Sequence, residues 1–343
     1  MKYLVRAGLF ILLSVGVLSP LAAARAADSA VVLMYHRFGE NALPSTNIRL
    51  DQFEAHLEEL ADPKYTVLPV PEIVARIRNG RDLPDRTLGL SIDDAFLSVY
   101  SEAWPRLKKA GVQFTLFVAT DPVDRNADGY MSWDQIRELR DAGVTIGSQT
   151  HTHLHMASST AAQNADDLRK SAERFMAELG AAPTIIAYPY GEYSLAVRET
   201  ARAAGFETGF GQHSGVLHPG ADMFYLPRFA MNETYGDIGR FKLAANALPL
   251  PVKEITPADP LLSAADNPPI LGFTVTGDAV AGIGRLACYP SNQGKARLEK
   301  LGARIEVRLD NAFPPGRARI NCTMLDRSGR WRWFGRQFFV PRS

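Results

Sequence analysis

Cysteine is scarce in this chain of 343 residues: Cys288 and Cys322 are the two, and they stand in no C-x-x-C spacing. That excludes a cysteine-built zinc finger and a dithiol redox centre. An excess of one charge is missing too, because 38 Lys+Arg oppose 37 Asp+Glu for a net charge of +1. With no basic run or arm there is no field to gather a polyanion along its length, so no nucleic-acid partner is expected. Long apolar runs are absent beyond the N-terminus, which leaves no spanning helix in the remainder. What is left, 46% apolar, is the composition of an ordinary globular chain of one or two domains.

At the N-terminus, Lys2 and Arg6 precede an apolar run from Ala7 to Val17, and small residues around Ala24 and Ala26 follow. The run is shorter than the ~20 residues a membrane span needs. The pattern therefore predicts a signal peptide over residues 1–26, and a periplasmic or secreted protein with no stable membrane span after cleavage. In an oxidising compartment Cys288 and Cys322 are expected to pair as a structural disulfide, two buried thiols being the alternative.

From Val31 the chain alternates β-rich and helical stretches. Strands are expected at Val31–His36, Thr87–Ile92, Phe114–Ala119, Thr145–Thr150, Thr184–Tyr188, Phe206–Phe210 and Phe224–Phe229. Helices are expected at Asp51–Leu60, Leu97–Ala110 and Ser132–Ala142, and over the stripe from Ala165 through Leu168 and Phe175 to Leu179. Ser132 with Gln135 forms a capping box, and Gly111, Gly143, Gly180 and Gly205 mark helix ends. The alternation predicts an α/β domain over residues 28–248, a parallel sheet or barrel whose chemistry gathers at the carboxyl ends of its strands. A proline-rich linker is expected over 249–268. Ile270–Thr276, Ala303–Leu309, Arg317–Leu325 and Arg330–Val340 then predict a small β-sandwich module over 269–343.

Three strand ends carry candidate chemistry. Asp93 and Asp94 put adjacent carboxylates at one of them. Successive strand residues point to opposite faces, so both reach one site only where the strand breaks into a loop. There one could hold a metal while the other takes a proton from water; a solvated turn or helix cap is the plain alternative. The run Gly147-Ser148-Gln149-Thr150-His151-Thr152-His153-Leu154-His155 holds three of the seven histidines, and imidazole is the commonest neutral metal ligand. Tyr188-Pro189-Tyr190-Gly191 is a turn able to aim a backbone N–H at an oxyanion.

In this order, the three elements resemble the polysaccharide deacetylase family, the NodB-like carbohydrate esterases. The resemblance extends over roughly Val31 to Ala245. Met34-Tyr35-His36-Arg37 looks like the segment opening the branch that acts on poly-N-acetylglucosamine, and Leu226-Pro227-Arg228-Phe229 like the strand whose arginine orients the catalytic aspartate there. The resemblance implies a distorted (β/α)7 barrel, Asp93 as catalytic base, Arg228 as its orienting partner, and the Tyr190 N–H as oxyanion donor. It implies a divalent metal, zinc above all, on Asp94 and two residues of the histidine run. Matching the flank Ile146-Gly147-Ser148 selects Gln149 and His153; matching the letters selects His151 and His155. The amide of Gln149 is a poorer zinc ligand than the imidazole the family carries.

The late leucine-histidine motif of the family is missing, since residues 241–248 contain no histidine. The general acid then falls to His36 or His213. Ala95 stands where glycine is usual, and Ala187 where many members carry arginine. In the β module Trp331 and Trp333 share a strand face, alternating with Arg330 and Arg332. The pair reads either as a sugar-stacking platform with arginines for anionic substituents, or as sandwich core with the arginines in water. The expected function is metal-dependent hydrolysis of N-acetyl groups on an amino-sugar polymer. The alternative is a non-catalytic glycan-binding protein with a degraded site.

Overall fold

The computed structural model describes residues 26–342. The expected signal peptide lies outside them, up to its last residue.

Seven parallel strands form the first domain: β1 (Ala30–Tyr35), β2 (Thr87–Asp93), β3 (Thr115–Val118), β4 (Thr145–Ser148), β5 (Ile185–Ala187), β6 (Thr208–Phe210) and β7 (Phe229–Ala230). Their order is β6-β5-β4-β3-β2-β1-β7, with Thr66–Val67 pairing beside β2. Every residue of β1 and β2 is buried, as expected of a parallel sheet covered on both faces. The barrel closes through the segment before β7. Leu226 exchanges backbone hydrogen bonds with Gly209 and Gly211 while β7 pairs with β1. The strand expected over Phe224–Phe229 is thus split, because Pro227 has no N–H to continue a ladder.

Helices α1 (Leu50–Leu60), α2 (Val70–Arg78), α3 (Trp104–Ala110), α4 (Trp133–Asp141), α5 (Ala161–Leu179), α6 (Leu195–Ala203) and α7 (Ile238–Ala245) surround the sheet. The Ser132–Gln135 capping box forms as expected, and Gly111 and Gly180 end α3 and α5 in the left-handed conformation. No helix among the described residues is long and apolar enough to cross a membrane.

The second domain is a sandwich of two four-stranded sheets. One runs β8 (Leu248–Pro249), β15 (Trp331–Val340), β14 (Gly316–Leu325), β11 (Ala287–Pro290); the other runs β9 (Val252–Thr256), β10 (Leu271–Val275), β13 (Arg304–Arg308), β12 (Arg297–Leu301). The residues expected as a linker are part of it, since β8 pairs with β15 and β9 with β10. Prolines in β8 and around β9 masked these strands, but both are sheet edges, where a missing N–H costs little. Cys288 and Cys322 face each other across β11 and β14 and form the disulfide.

The period-two alternation of β14 and β15 decides the tryptophan question. Ala318, Ile320, Cys322 and Phe338 point into the sandwich core. Trp333 is on the opposite face, its ring 5.2 Å from Phe229 of the barrel, and Trp331 on the same face is partly exposed. The tryptophans are not sandwich core. Arg330 and Arg332 are ion-paired, with Asp85 and with Asp278 and Asp326 respectively, and offer no free charge to a ligand. The two domains approach closely where β15 meets the loop after β6: a Cβ at Gly335 would overlap the carbonyl oxygen of Ser214.

Candidate active site

At the end of β2 the backbone turns sharply, with Asp94 at φ 76 and Ala95 at φ 55. These left-handed residues break the strand alternation, so both carboxylates face the same end of the barrel. The Asp93 carboxylate takes two hydrogen bonds from Arg228, Nη1 to Oδ1 at 2.6 Å and Nη2 to Oδ2 at 2.9 Å. Arg228 also donates to Ser91 Oγ and to the Gly211 carbonyl, and neither partner of the pair has any solvent exposure. The fork fixes the carboxylate plane. His36, just past β1, places Nε2 at 3.8 Å from Asp93 Oδ2.

Asp94 Oδ1 is 3.2 Å from His153 Nε2. Burial alone would raise the Asp94 carboxyl; His153, with charge at His36 and Arg37, outweighs that and holds it below the ordinary carboxylate range. The loop bearing His153 is shaped by α5. Asp167 accepts from the backbone N–H groups of His151 and Thr152, Asn164 donates to the Met156 carbonyl, and Ser171 contacts Ser148. These polar residues interrupt the inward stripe of α5. That interruption was the available sequence signal, and the stripe alone reads as core.

The loop sorts the two ligand registers. His153 reaches Asp94, whereas His151 is turned to Thr120 Oγ1, and His155 pairs with Glu192 while stacking on the Tyr190 ring at 4.0 Å. Gln149 is wholly buried beside Asp94, and its Oε1 accepts from the Asp94 N–H at 2.9 Å. A backbone N–H can only donate, so the amide orientation is fixed: the oxygen is used and the buried NH2 is left without a partner. An amide nitrogen donates and cannot ligate a cation, and the Gln149 oxygen already accepts from the Asp94 N–H. Among the described residues no three His, Cys, Asp or Glu side chains converge on a metal position. Asp94 and His153 are two strong ligands without a third, and the residues present do not make the zinc site that the resemblance implies.

Tyr190 adopts φ 59 and ψ 5 in the turn after β5, and no hydrogen bond among the described residues engages its N–H. Its carbonyl accepts from Gln337 Nε2 at 3.0 Å. His213, one of the two candidate acids, is not at this site. It is buried against Tyr225, and burial together with Arg336, Arg319 and Arg228 pushes it down to about 3. A proton held that weakly cannot be stored for donation near neutral pH. A cavity of about 670 Å³ opens over His36, Asp94, His153 and Tyr190, and its far wall is the β module, with Arg317, Arg319, Asn321 and Trp333. Trp333 was a candidate from the sequence, but Arg317, Arg319 and Asn321 were missed because nothing in a strand's pattern says which neighbouring domain it will face.

The polysaccharide deacetylase family model matches residues 80–209 of the chain. A poly-beta-1,6-N-acetyl-D-glucosamine N-deacetylase of Staphylococcus aureus (strain N315) is 25% identical over 234 residues, 60% of this chain and 80% of that protein. The chain is similar to the polysaccharide deacetylase family over that span. Two solved structures share its fold. The deacetylase PplD of Streptococcus pyogenes, in complex with acetate, gives a TM-score of 0.57 at 20% identity over 60% of this chain and 94% of that one. IcaB from Ammonifex degensii gives 0.55 at 24% identity over 64% and 98%. The likeness to deacetylases makes the chain a hydrolase, and that family is metal-dependent in general terms.

Proposed function

We propose that this chain is an exported polysaccharide deacetylase that hydrolyses the N-acetyl amide, a carbon–nitrogen bond, of an amino-sugar polymer. The observation that carries it is the buried Asp93–Arg228 fork set beside His36, Asp94, His153 and the free Tyr190 N–H at one end of the barrel. Export is supported by the N-terminal pattern and by the Cys288–Cys322 bridge.

In this reading a water on the His36 side of Asp93 Oδ2 gives its proton to the carboxylate and adds to the acetyl carbonyl carbon. The Tyr190 N–H meets the oxyanion so formed. His36 then protonates the amide nitrogen as the carbon–nitrogen bond breaks, releasing acetate and a free amine. The 3.8 Å between His36 and Asp93 gives the proton a short way back. Asp94 and His153 are the residues that would contact a divalent cation such as zinc, and Gln149 limits how firmly they would hold it.

Gln149 favours one other reading, a glycan-binding protein without turnover. Acetate release from poly-N-acetylglucosamine and from N-acetylated chitin oligosaccharides separates the two. Release that drops at least about a hundredfold in Asp93→Asn, with the thermal transition retained, is the expected result. Binding without release by the native chain would replace the proposal with the second reading.

A further inference from the structure

The cavity over the site has a charge that deacetylation does not explain. Arg240 of α7 and Arg317 and Arg319 of β14 line it, and none of the three forms an ion pair among the described residues. Many arginines elsewhere hold a carboxylate, Arg37, Arg76, Arg137, Arg174 and Arg308 among them, while Arg81, Arg202, Arg285 and Arg336 lie outside the cavity without an ion pair among the described residues. Arg240 Nη1 and Arg319 Nε are buried with no hydrogen-bond partner. Both side chains are half-buried, and burial lowers both guanidinium groups from their usual value. Leaving buried guanidinium N–H groups unpaired is costly, so the arrangement calls for an acceptor that enters from outside. Among the described residues Asp94 is the sole carboxylate on the cavity wall, and it is engaged by His153.

We propose that this wall is a subsite for an oxyanion substituent of the glycan, the carboxylate of a uronic acid or a phosphate ester, bound within a sugar or two of the N-acetyl group. The proposal rests on the polysaccharide reading of the site and narrows it to anionic polymers. Guanidinium forks suit planar carboxylates and phosphates. Alternation on β14 puts Arg317, Arg319 and Asn321 on the barrel-facing side, and Trp333, which donates to Asn321 Oδ1 at 3.1 Å, carries the Arg240 guanidinium 5.2 Å from its ring centre and so helps to aim it into the cavity.

Calorimetric titration of the full chain tests this without any turnover. One arm compares a hexasaccharide of alternating uronic acid and N-acetylglucosamine with its carboxyl-reduced, neutral counterpart; the other compares N-acetylglucosamine 6-phosphate with N-acetylglucosamine. A preference of about tenfold or more for the anionic member of either pair is expected, the size of a charge-assisted contact. It should shrink as salt rises from about 50 to 500 mM, and collapse toward one in Arg240→Gln/Arg319→Gln. The salt series needs no variant, so a misfolded double substitution cannot obscure the outcome. Equal affinities within both pairs, or a preference indifferent to salt, would overturn the subsite. A preference without acetate release would sink the deacetylase reading and leave the subsite standing.

Discussion

Gln337 of the β module donates its side-chain amide to the Tyr190 carbonyl oxygen, 3.0 Å away, so the second domain holds the turn whose N–H is offered to the oxyanion. Tyr190 is a non-glycine residue at φ 59, a conformation that costs on the order of 1 kcal/mol and persists where surroundings over-determine it. Arg317 adds its guanidinium 5.2 Å from the Tyr190 ring. Gln337→Ala removes a hydrogen bond worth about 1 kcal/mol. We expect kcat for acetate release to fall about fivefold while KM changes less than about twofold, since the loss is felt at the oxyanion and not on ground-state sugar. Steady-state kinetics on one N-acetylated oligosaccharide checks this; a change confined to KM would mean the turn holds itself.

The Asp93–Arg228 pair makes a stability prediction with a definite sign. Both side chains are fully buried, so Arg228→Met strands an unpaired carboxylate and should cost about 3–5 kcal/mol. Adding Asp93→Asn removes that charge. The double variant should then be more stable than Arg228→Met alone, although both are inactive. Urea unfolding of the native chain and the variants gives the comparison, and a double variant less stable than Arg228→Met would mean that the pair is not bearing buried charge.

The barrel was legible because its signals are local. Apolar runs such as Val31–Tyr35 and Leu88–Ile92 are continuous, and polar residues follow them at the strand ends. Asp93, Asp94, the histidine run and Tyr190 could be named for that reason, whereas Arg228 and the choice of His153 within the run came from the family resemblance. The β9 strand was hidden by prolines that an edge position tolerates, and the cavity wall was hidden because Arg317 and Arg319 gain meaning only when the sandwich docks. His213 misled for a related reason. Its sequence position follows β6, but its burial against Tyr225 and three arginines is a tertiary fact.

That burial predicts a pH dependence. Burial, with Arg336, Arg319 and Arg228, holds His213 at about 3, and burial holds His56 at about 4 even though the Gly236 carbonyl and Asp237 oppose it. An unfolded histidine titrates near 6.5. Between those values the unfolded chain binds protons that the folded chain refuses, so stability is full above about pH 6.5 and is lost as pH falls toward the folded values. At pH 5 each refused proton costs about 2 kcal/mol. The melting temperature should fall by several degrees between pH 7 and 5. His213→Gln should show roughly half that fall. An unchanged fall in the variant would remove His213 as a cause.

We expect Gln149 to limit how firmly Asp94 and His153 would hold a divalent cation, and Gln149→His tests this. The Asp94 N–H that Gln149 accepts also reaches the Phe117 carbonyl at 3.0 Å, so replacing the amide leaves that donor satisfied. Gln149→His supplies a lone pair beside Asp94 and His153, converting two strong ligands into the three that a catalytic zinc centre uses. Zinc affinity, read by competition with a chromophoric chelator, should rise by about a hundredfold or more over the native chain. If acetate release rises in step and disappears with chelation, the native chain is a deacetylase working with a weakened metal centre. If affinity rises and release does not, metal was never limiting and the Asp93, His36 and Tyr190 set carries the reaction as proposed. No gain in zinc affinity would show that position 149 is not a vertex of a metal site, and the flank register would fall with it.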